Sequence, residues 1–227
     1  MQPGQSIWVV IAAYNEAKVI AGVVADLKRL DYEVVVVDDG SADGTGRAAA
    51  TAGAVVVKHP INLGQGAALQ TGIELALLEG ADVVVTFDGD GQHRAAEIAG
   101  LIETLEREGA DYVLGSRFLG ASMNQPQSRR LVLRAATWFT RITTRLRVTD
   151  THNGLRAMTR RGASRIRLRQ NRMAHASEIL HQIADSGLKY VEAPVTIDYS
   201  AYSLSKGQKL GDSLMILTDL FARRLHR

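Results

Sequence analysis

Cysteine is absent from the 227 residues, which excludes a disulfide framework and any thiolate metal centre and agrees with a reducing compartment. Aromatic residues make up only 5% of the chain. That leaves little for base stacking, and with no recognised nucleic-acid-binding motif a nucleic-acid partner is not expected. No apolar run approaches the roughly 18 to 20 residues that a bilayer crossing needs. The opening Met1-Gln2-Pro3-Gly4 carries no leader signature, so a cytoplasmic protein, soluble or peripheral to a membrane, is expected. His59, His93, His152, His175, His181 and His226 never fall in the His-Glu-x-x-His spacing, which argues against zinc hydrolysis and leaves them as surface or structural residues.

What is present is ordinary globular material, 46% hydrophobic and 22% charged, enough for one large domain with a full core. The net charge of +3 hides an uneven distribution, because Ser128 to Arg172 holds thirteen arginines, no lysine and the single acid Asp150. Such a stretch reads either as a solvated basic face or as a surface for phosphates and anionic lipid. The exclusive use of arginine, with its bidentate fork, favours the second.

Strand-like and helix-like segments alternate from the start. Ile7 to Ala13, Glu33 to Asp38, Ala54 to Lys58, Asp82 to Asp88 and Asp111 to Gly115 are short and rich in valine. Between them lie helical patterns at Ala17 to Leu30, Gly44 to Ala52, Gly66 to Glu79 and Ala95 to Glu108. This order predicts an α/β fold, a mostly parallel, doubly wound sheet with helices on both faces. Beyond residue 116 a short strand is expected at Gly154 to Met158, a helix at His175 to Ser186 and a strand at Tyr190 to Asp198. Arg129 to Leu146 combines Trp138, Phe139 and Ile142 with Arg134, Arg141 and Arg145. It suits a helix on an anionic membrane surface or a core-facing helix with snorkelling arginines. Apolar residues at Leu210, Leu214, Leu217, Leu220, Phe221 and Leu225 predict a C-terminal amphipathic helix. A catalytic domain over 1–208 and a terminal helix over 209–227 follow as the expected division.

In open α/β sheets ligands bind outside the carboxyl ends of the strands. Three such ends here are the polar clusters Tyr14-Asn15-Glu16, Asp38-Asp39-Gly40-Ser41 and Asp88-Gly89-Asp90. Alternate residues of an extended segment point the same way, so Asp88 and Asp90 can face one hard cation, with the Gln92 carbonyl as a third oxygen ligand. Oxygen ligands select Mg²⁺ or Mn²⁺. Taken alone, Asp-Gly-Asp-Gly also makes an ordinary turn. Asn62-Leu63-Gly64-Gln65-Gly66 offers a close backbone approach for phosphate oxygens at a helix start but lacks the P-loop lysine, which weakens Walker-type ATPase and dinucleotide-dehydrogenase readings. Glu178 lies three residues from His175 and from His181 on a helix pattern, a spacing for local side-chain contacts. Asp150 reads as an ion-pair partner among arginines, and as a general base if the acceptor is a hydroxyl.

The combination is more specific than its parts. Ala12-Ala13-Tyr14-Asn15-Glu16, Val37-Asp38-Asp39-Gly40-Ser41-Ala42-Asp43-Gly44-Thr45, Leu63-Gly64-Gln65-Gly66-Ala67 and Asp88-Gly89-Asp90-Gly91-Gln92-His93 resemble, in this order and spacing, the inverting family 2 glycosyltransferases of Rossmann-like GT-A fold. Gly115-Ser116-Arg117-Phe118, Arg129-Arg130, Asn153-Gly154-Leu155-Arg156, Glu178 and Ser205-Lys206 are similar to the subgroup of dolichol-phosphate mannose synthases and bacterial polyprenyl-phosphate sugar synthases. That resemblance implies nucleotide contacts from Ala13, Tyr14, Glu16, Asp39 and Gln65, and a Mg²⁺ or Mn²⁺ site at Asp88, Asp90 and Gln92. It further implies phosphate contacts near the acceptor from Arg117, Arg130 and Lys206, and a sugar or acceptor contact from Glu178. Two departures stand out: Ser200 and Ser203 occupy the arginine and glycine positions of the subgroup's ending, and Gln65 stands where a lysine is common.

The activity so implied is metal-dependent, inverting transfer of a sugar from a GDP- or UDP-linked donor to a polyprenyl phosphate, at the inner face of a membrane. Transfer to a hydroxyl of a glycan or glycolipid is the alternative, which the altered Ser200 to Lys206 segment favours. A sugar-phosphate nucleotidyltransferase would need a glycine-rich basic loop where this chain has Ala12 to Glu16. A non-catalytic nucleotide-sugar module would not need the full Asp-Gly-Asp-Gly-Gln series.

Overall fold

In the computed structural model the described residues are 4–123, 137, 141, 146–151, 153–170 and 174–198. Seven strands form one sheet: β1 (Ile7–Ala13), β2 (Glu33–Asp38), β3 (Val55–Lys58), β4 (Val83–Asp88), β5 (Tyr112–Met123), β6 (Arg156–Thr159) and β7 (Tyr190–Asp198). The helices are α1 (Ile20–Lys28), α2 (Thr45–Thr51), α3 (Gln65–Leu78), α4 (Glu97–Glu108), a single turn α5 (Arg160–Ala163) and α6 (Ala174–Ser186). Across the sheet the order is β3-β2-β1-β4-β6-β5-β7. All neighbouring pairs are parallel except those of β6, which runs antiparallel to β4 and β5. The mostly parallel doubly wound sheet expected from the strand-helix alternation is therefore present, with one reversed strand in its second half.

Strand alternation divides the core in two. Ile7, Val9, Ile11, Val34, Val36, Val83, Val85 and Phe87 pack with Ile20, Val24 and Leu27 of α1 and Ile98, Leu101, Ile102 and Leu105 of α4. On the other face Trp8, Val10, Val35, Val37 and Val84 pack with Leu69, Ile73 and Ala76 of α3 and Ile179, Leu180 and Ile183 of α6. Burial on both faces is why these strands read as near-continuous β-branched runs. Each large side chain removed from water contributes about 1.5–3 kcal/mol. The second layer is tight where α3 crosses β1. A methyl on Gly72 would fall inside van der Waals contact of Val10 Cγ1, so Gly72→Ala is expected to cost about 1–3 kcal/mol in urea unfolding through overpacking.

The registers level the strand ends that matter. Ala12 is opposite Val37 on one side and Asp88 on the other, and Ala13 is opposite Asp38. The chain runs β1-β2-β3 in one direction and then returns to place β4 on the far side of β1. This topological switch point opens a crevice at the carboxyl ends of β1 and β4.

Several boundaries differ from those expected. Helix α1 begins at Ile20 rather than Ala17, because the amides of Glu16 and Ala17 donate to Thr45 Oγ1 and Asp43 Oδ2 instead of opening a helix. Strand β5 continues past Gly115 to Met123, with a register irregularity against β7 between Ser116 and Ala121. Its polar Ser116 and Arg117 are buried with partners from another segment. The short strand expected from Gly154 begins at Arg156, and α5 follows it, capped by Thr159, whose hydroxyl accepts from the Gly162 amide. Most of the Arg129 to Leu146 helix lies outside the described residues. So do Arg130, Ser200, Ser203, Lys206, the domain boundary at 208 and the terminal helix.

Candidate active site

Three loops are sewn together at the switch point. Asn15, in the left-handed conformation at φ 55, donates its amide to Ser41 Oγ at 3.0 Å and accepts the Ala42 amide at its own Oδ1 at 3.0 Å. The Glu16 amide donates to Thr45 Oγ1 at 2.8 Å. Hydroxyls and short polar side chains are needed at Ser41, Asp43 and Thr45 because the turn after β1 has no ladder to satisfy its amides. Asp39 performs the same task for the third loop. Its Oδ1 accepts from the Leu63 amide and His59 Nδ1 at 2.9 and 2.8 Å, and its Oδ2 accepts from the Gly64 amide at 2.7 Å. A carboxylate offers about four acceptor sites, so Oδ2 keeps capacity for a further donor.

The loops surround a cleft of about 440 Å³ lined by Tyr14, Glu16, Asp39, Gln65, Asp88 and Asp90, together with Ala12, Asn62, Gly64, Gly154, Arg156 and His175. Asp88 is held on both oxygens: His93 Nε2 is 3.0 Å from Oδ2, and Gln65 Nε2 reaches Oδ1 at 3.5 Å. From behind, a Cβ on Gly154 would collide with both Asp88 oxygens. Gly154→Ala must therefore displace that carboxylate. A shift on the order of 1 Å at reacting groups costs about 10²-fold, and we expect a rate loss of about that size with cooperative unfolding retained, read by steady-state kinetics and thermal melting.

Electrostatics divide the two carboxyls. Burial pushes Asp88 up, but the His93 hydrogen bond and the charges of His93, Arg156 and His175 outweigh it and hold the group below the usual carboxylate range. Asp90 is raised to about 6, by burial first and then by the negative charge of Asp88. Its partner is Gln92, which donates its backbone amide at 3.1 Å and its side-chain amide at 2.7 Å. Two carboxylates crowded in a cleft are relieved by a shared cation. Among the described residues no group of three or more His, Cys, Asp or Glu side chains forms a cage for a metal. The donor set instead fits Mg²⁺ or Mn²⁺, which are commonly held by one or two carboxylates while substrate phosphates and water complete the shell. Gln92 stands here as a donor to Asp90.

The remaining expected residues lie elsewhere. Ala13 is buried behind the cleft, its carbonyl accepting the Asp39 amide at 2.9 Å. Arg117 and Asp150 form a buried ion pair, Nε to Oδ2 2.6 Å, with the Arg117 amide donating to the same oxygen at 3.1 Å. Glu192 braces that pair by accepting from the Thr149 and Asp150 amides, and its own carboxyl is pushed up by burial. Glu178 accepts from the Arg169 and Gln170 amides and so fastens the segment that crosses Gly66 at the start of α3, where a Cβ would meet the Gln170 carbonyl. None of these five side chains is among the described residues lining the cleft.

Three lining residues were given no site role by the sequence reading: Gly154 and Arg156, quoted only as part of the Asn153-Gly154-Leu155-Arg156 motif, and His175, read as surface or structural. His93, behind Asp88, was taken as structural. Its position five residues after Asp88, in a turn bridged to Ile197 of β7, is the one signal that could have marked it. Arg156 is one of thirteen arginines in its region, and only its place in the Asn153-Gly154-Leu155-Arg156 motif sets it apart.

The comparisons agree with this geometry. The Glycosyl transferase family 2 model matches residues 8–167. The chain is 31% identical to the UDP-N-acetylglucosamine–dolichyl-phosphate N-acetylglucosaminyltransferase of Methanococcus voltae, over 96% of this chain and 94% of that one. It is 29% identical to the polyprenol monophosphomannose synthase of Mycolicibacterium smegmatis, over 91% and 82%. Among solved structures, glucosyl-3-phosphoglycerate synthase from Mycobacterium tuberculosis in complex with Mn²⁺ and UDP-glucose superimposes with a TM-score of 0.72 at 23% identity, over 97% of this chain and 79% of that one. At that identity the likeness shows the shared GT-A fold. With a family match over most of its length and a cleft at the switch point of that fold, the chain belongs to glycosyltransferase family 2.

Proposed function

We propose that this glycosyltransferase moves a sugar from a nucleoside diphosphate, GDP- or UDP-linked, to a polyprenyl phosphate, with inversion at the anomeric carbon. The observation that carries the reading is the Asp88 and Asp90 pair in the cleft between β1 and β4, in a chain whose named relatives act on dolichyl or polyprenol phosphates. Tyr14, Glu16, Asp39 and Gln65 hold the nucleotide, and Asp88 and Asp90, with Gln92 beside them, hold Mg²⁺ or Mn²⁺. When bound, the metal supplies positive charge for the departing diphosphate. An acceptor oxygen attacks the anomeric carbon from the face opposite the leaving group, and the bond from that carbon to the diphosphate oxygen breaks.

A phosphate acceptor is already ionised near neutral pH and needs no base, whereas a hydroxyl acceptor needs one. Asp150, the candidate for that task, is engaged by Arg117, and Glu178, the expected acceptor contact, by two backbone amides. This favours the lipid phosphate. Arg130 and Lys206 meet its phosphate in this reading, and the protein works at the cytoplasmic face as a peripheral enzyme. No helix among the described residues is long and apolar enough to cross a membrane. The acceptor is tested by following radiolabelled sugar into polyprenyl phosphate, the matching polyprenol and a glycan panel. Label in the polyprenyl phosphate alone is expected. Label in the glycan or the free alcohol instead would overturn the acceptor assignment, return Asp150 to consideration as a base and make Glu178 the next residue to test.

A further inference from the structure

Arg156 is a cleft side chain to which the sequence reading gave no role. It lies on β6, where its backbone is paired with Thr86 and Leu114; its side chain lines the cleft beside Gly154, Asp88 and Gln65. Only 3% of the residue is exposed, and Asp88 and Asp150 act on its guanidinium through charge rather than through a hydrogen bond. Burial lowers its pKa, opposed by the charges of Asp88 and Asp150. Asp150 is already taken by Arg117 and Asp88 by His93. Two residues upstream of Leu155, Asn153 is also buried; its Oδ1 accepts the Leu155 amide, leaving Nδ2 with no partner. Buried donors without acceptors are rare and costly. A guanidinium carries five N–H donors in a fork that matches phosphate oxygens.

We propose that Arg156 is a phosphate receptor on the floor of the cleft, taking oxygens of the donor's diphosphate beside Asp88. The inference rests on the nucleoside diphosphate reading of this cleft. The diphosphate, rather than the acceptor phosphate, is assigned because Arg156 shares its wall with Gln65, Asp88 and Gly154, while Arg117 lies outside the lining. The guanidinium then adds a fixed positive charge where the leaving group gathers negative charge, and the carboxylates nearby keep that charge tolerable before substrate arrives.

The test uses the full chain and inorganic pyrophosphate with Mg²⁺, followed by calorimetric titration of wild type, Arg156→Gln, Arg156→Lys and Arg156→Met. The neutral variants are expected to bind pyrophosphate about 10- to 100-fold more weakly, the size of a lost charge-assisted hydrogen-bonding pair. The lysine variant recovers part of the loss. The methionine variant, close in volume, keeps the test open if glutamine prevents folding, and thermal melting identifies that case. Binding within twofold of wild type in folded neutral variants overturns the proposal. So does unchanged pyrophosphate binding accompanied by a raised KM for polyprenyl phosphate, which would move Arg156 to the acceptor. Loss of pyrophosphate affinity in a protein that transfers no sugar with any donor or acceptor would instead leave the receptor standing and sink the proposed activity.

Discussion

Asp88→Asn is expected to lower the rate of metal-dependent sugar transfer by about 10³-fold, the scale of losing one preorganised charge at a developing anion. Asparagine is nearly isosteric and its Oδ1 can still accept from His93, so the 3.0 Å contact that positions the side chain is conserved in kind. What disappears is the negative charge that His93, Arg156 and His175 hold in place. The expected signature is a fall in kcat with a raised metal requirement and a retained cooperative melt. Wild-type turnover in Asp88→Asn would remove the metal assignment.

Asp150→Ala is expected to act on stability instead, by about 3–5 kcal/mol in denaturant unfolding, because it removes the carboxylate paired with a buried guanidinium. The two side chains are only 6% and 1% exposed, so neither finds water when its partner is gone. Such a loss is a large share of the roughly 5–15 kcal/mol that holds a domain together. Combining it with Arg117→Met should restore part of the stability, since the double variant no longer buries the Arg117 guanidinium opposite a missing carboxylate. A stable Asp150→Ala protein with little activity would contradict this and favour Asp150 as a base.

How much of this was legible in sequence depends on whether the physics is local. The bounds of β1 and β2 follow from β-branched runs closed by polar turns, and like those of β7 they agree with the expected residues. Asp88 and Asp90 could be placed in one crevice because strand alternation and the rule for strand carboxyl ends are properties of the segment itself. The extension of β5 through Ser116 and Arg117 was not legible, because their polarity is answered by Thr149 and Asp150, 33 residues away. For the same reason α1 seemed to start early: the amides that delay it are taken by Asp43 and Thr45 on another loop. Asp39 looked like a ligand contact and lines the cleft, but its hydrogen bonds to the Leu63 and Gly64 amides emerge only from the fold. Arg156 required the antiparallel placement of β6 beside β4, which no periodicity announces.

The central claim is metal-assisted transfer from a nucleoside diphosphate sugar to a lipid phosphate. Its most direct measurement is release of nucleoside diphosphate from UDP- and GDP-sugars, with and without Mg²⁺ or Mn²⁺ and with and without a short polyprenyl phosphate. The account predicts release only when metal and lipid phosphate are both present, and from one nucleotide in preference to the other. Release that proceeds equally in a chelator, or that is indifferent to the lipid phosphate, would contradict it.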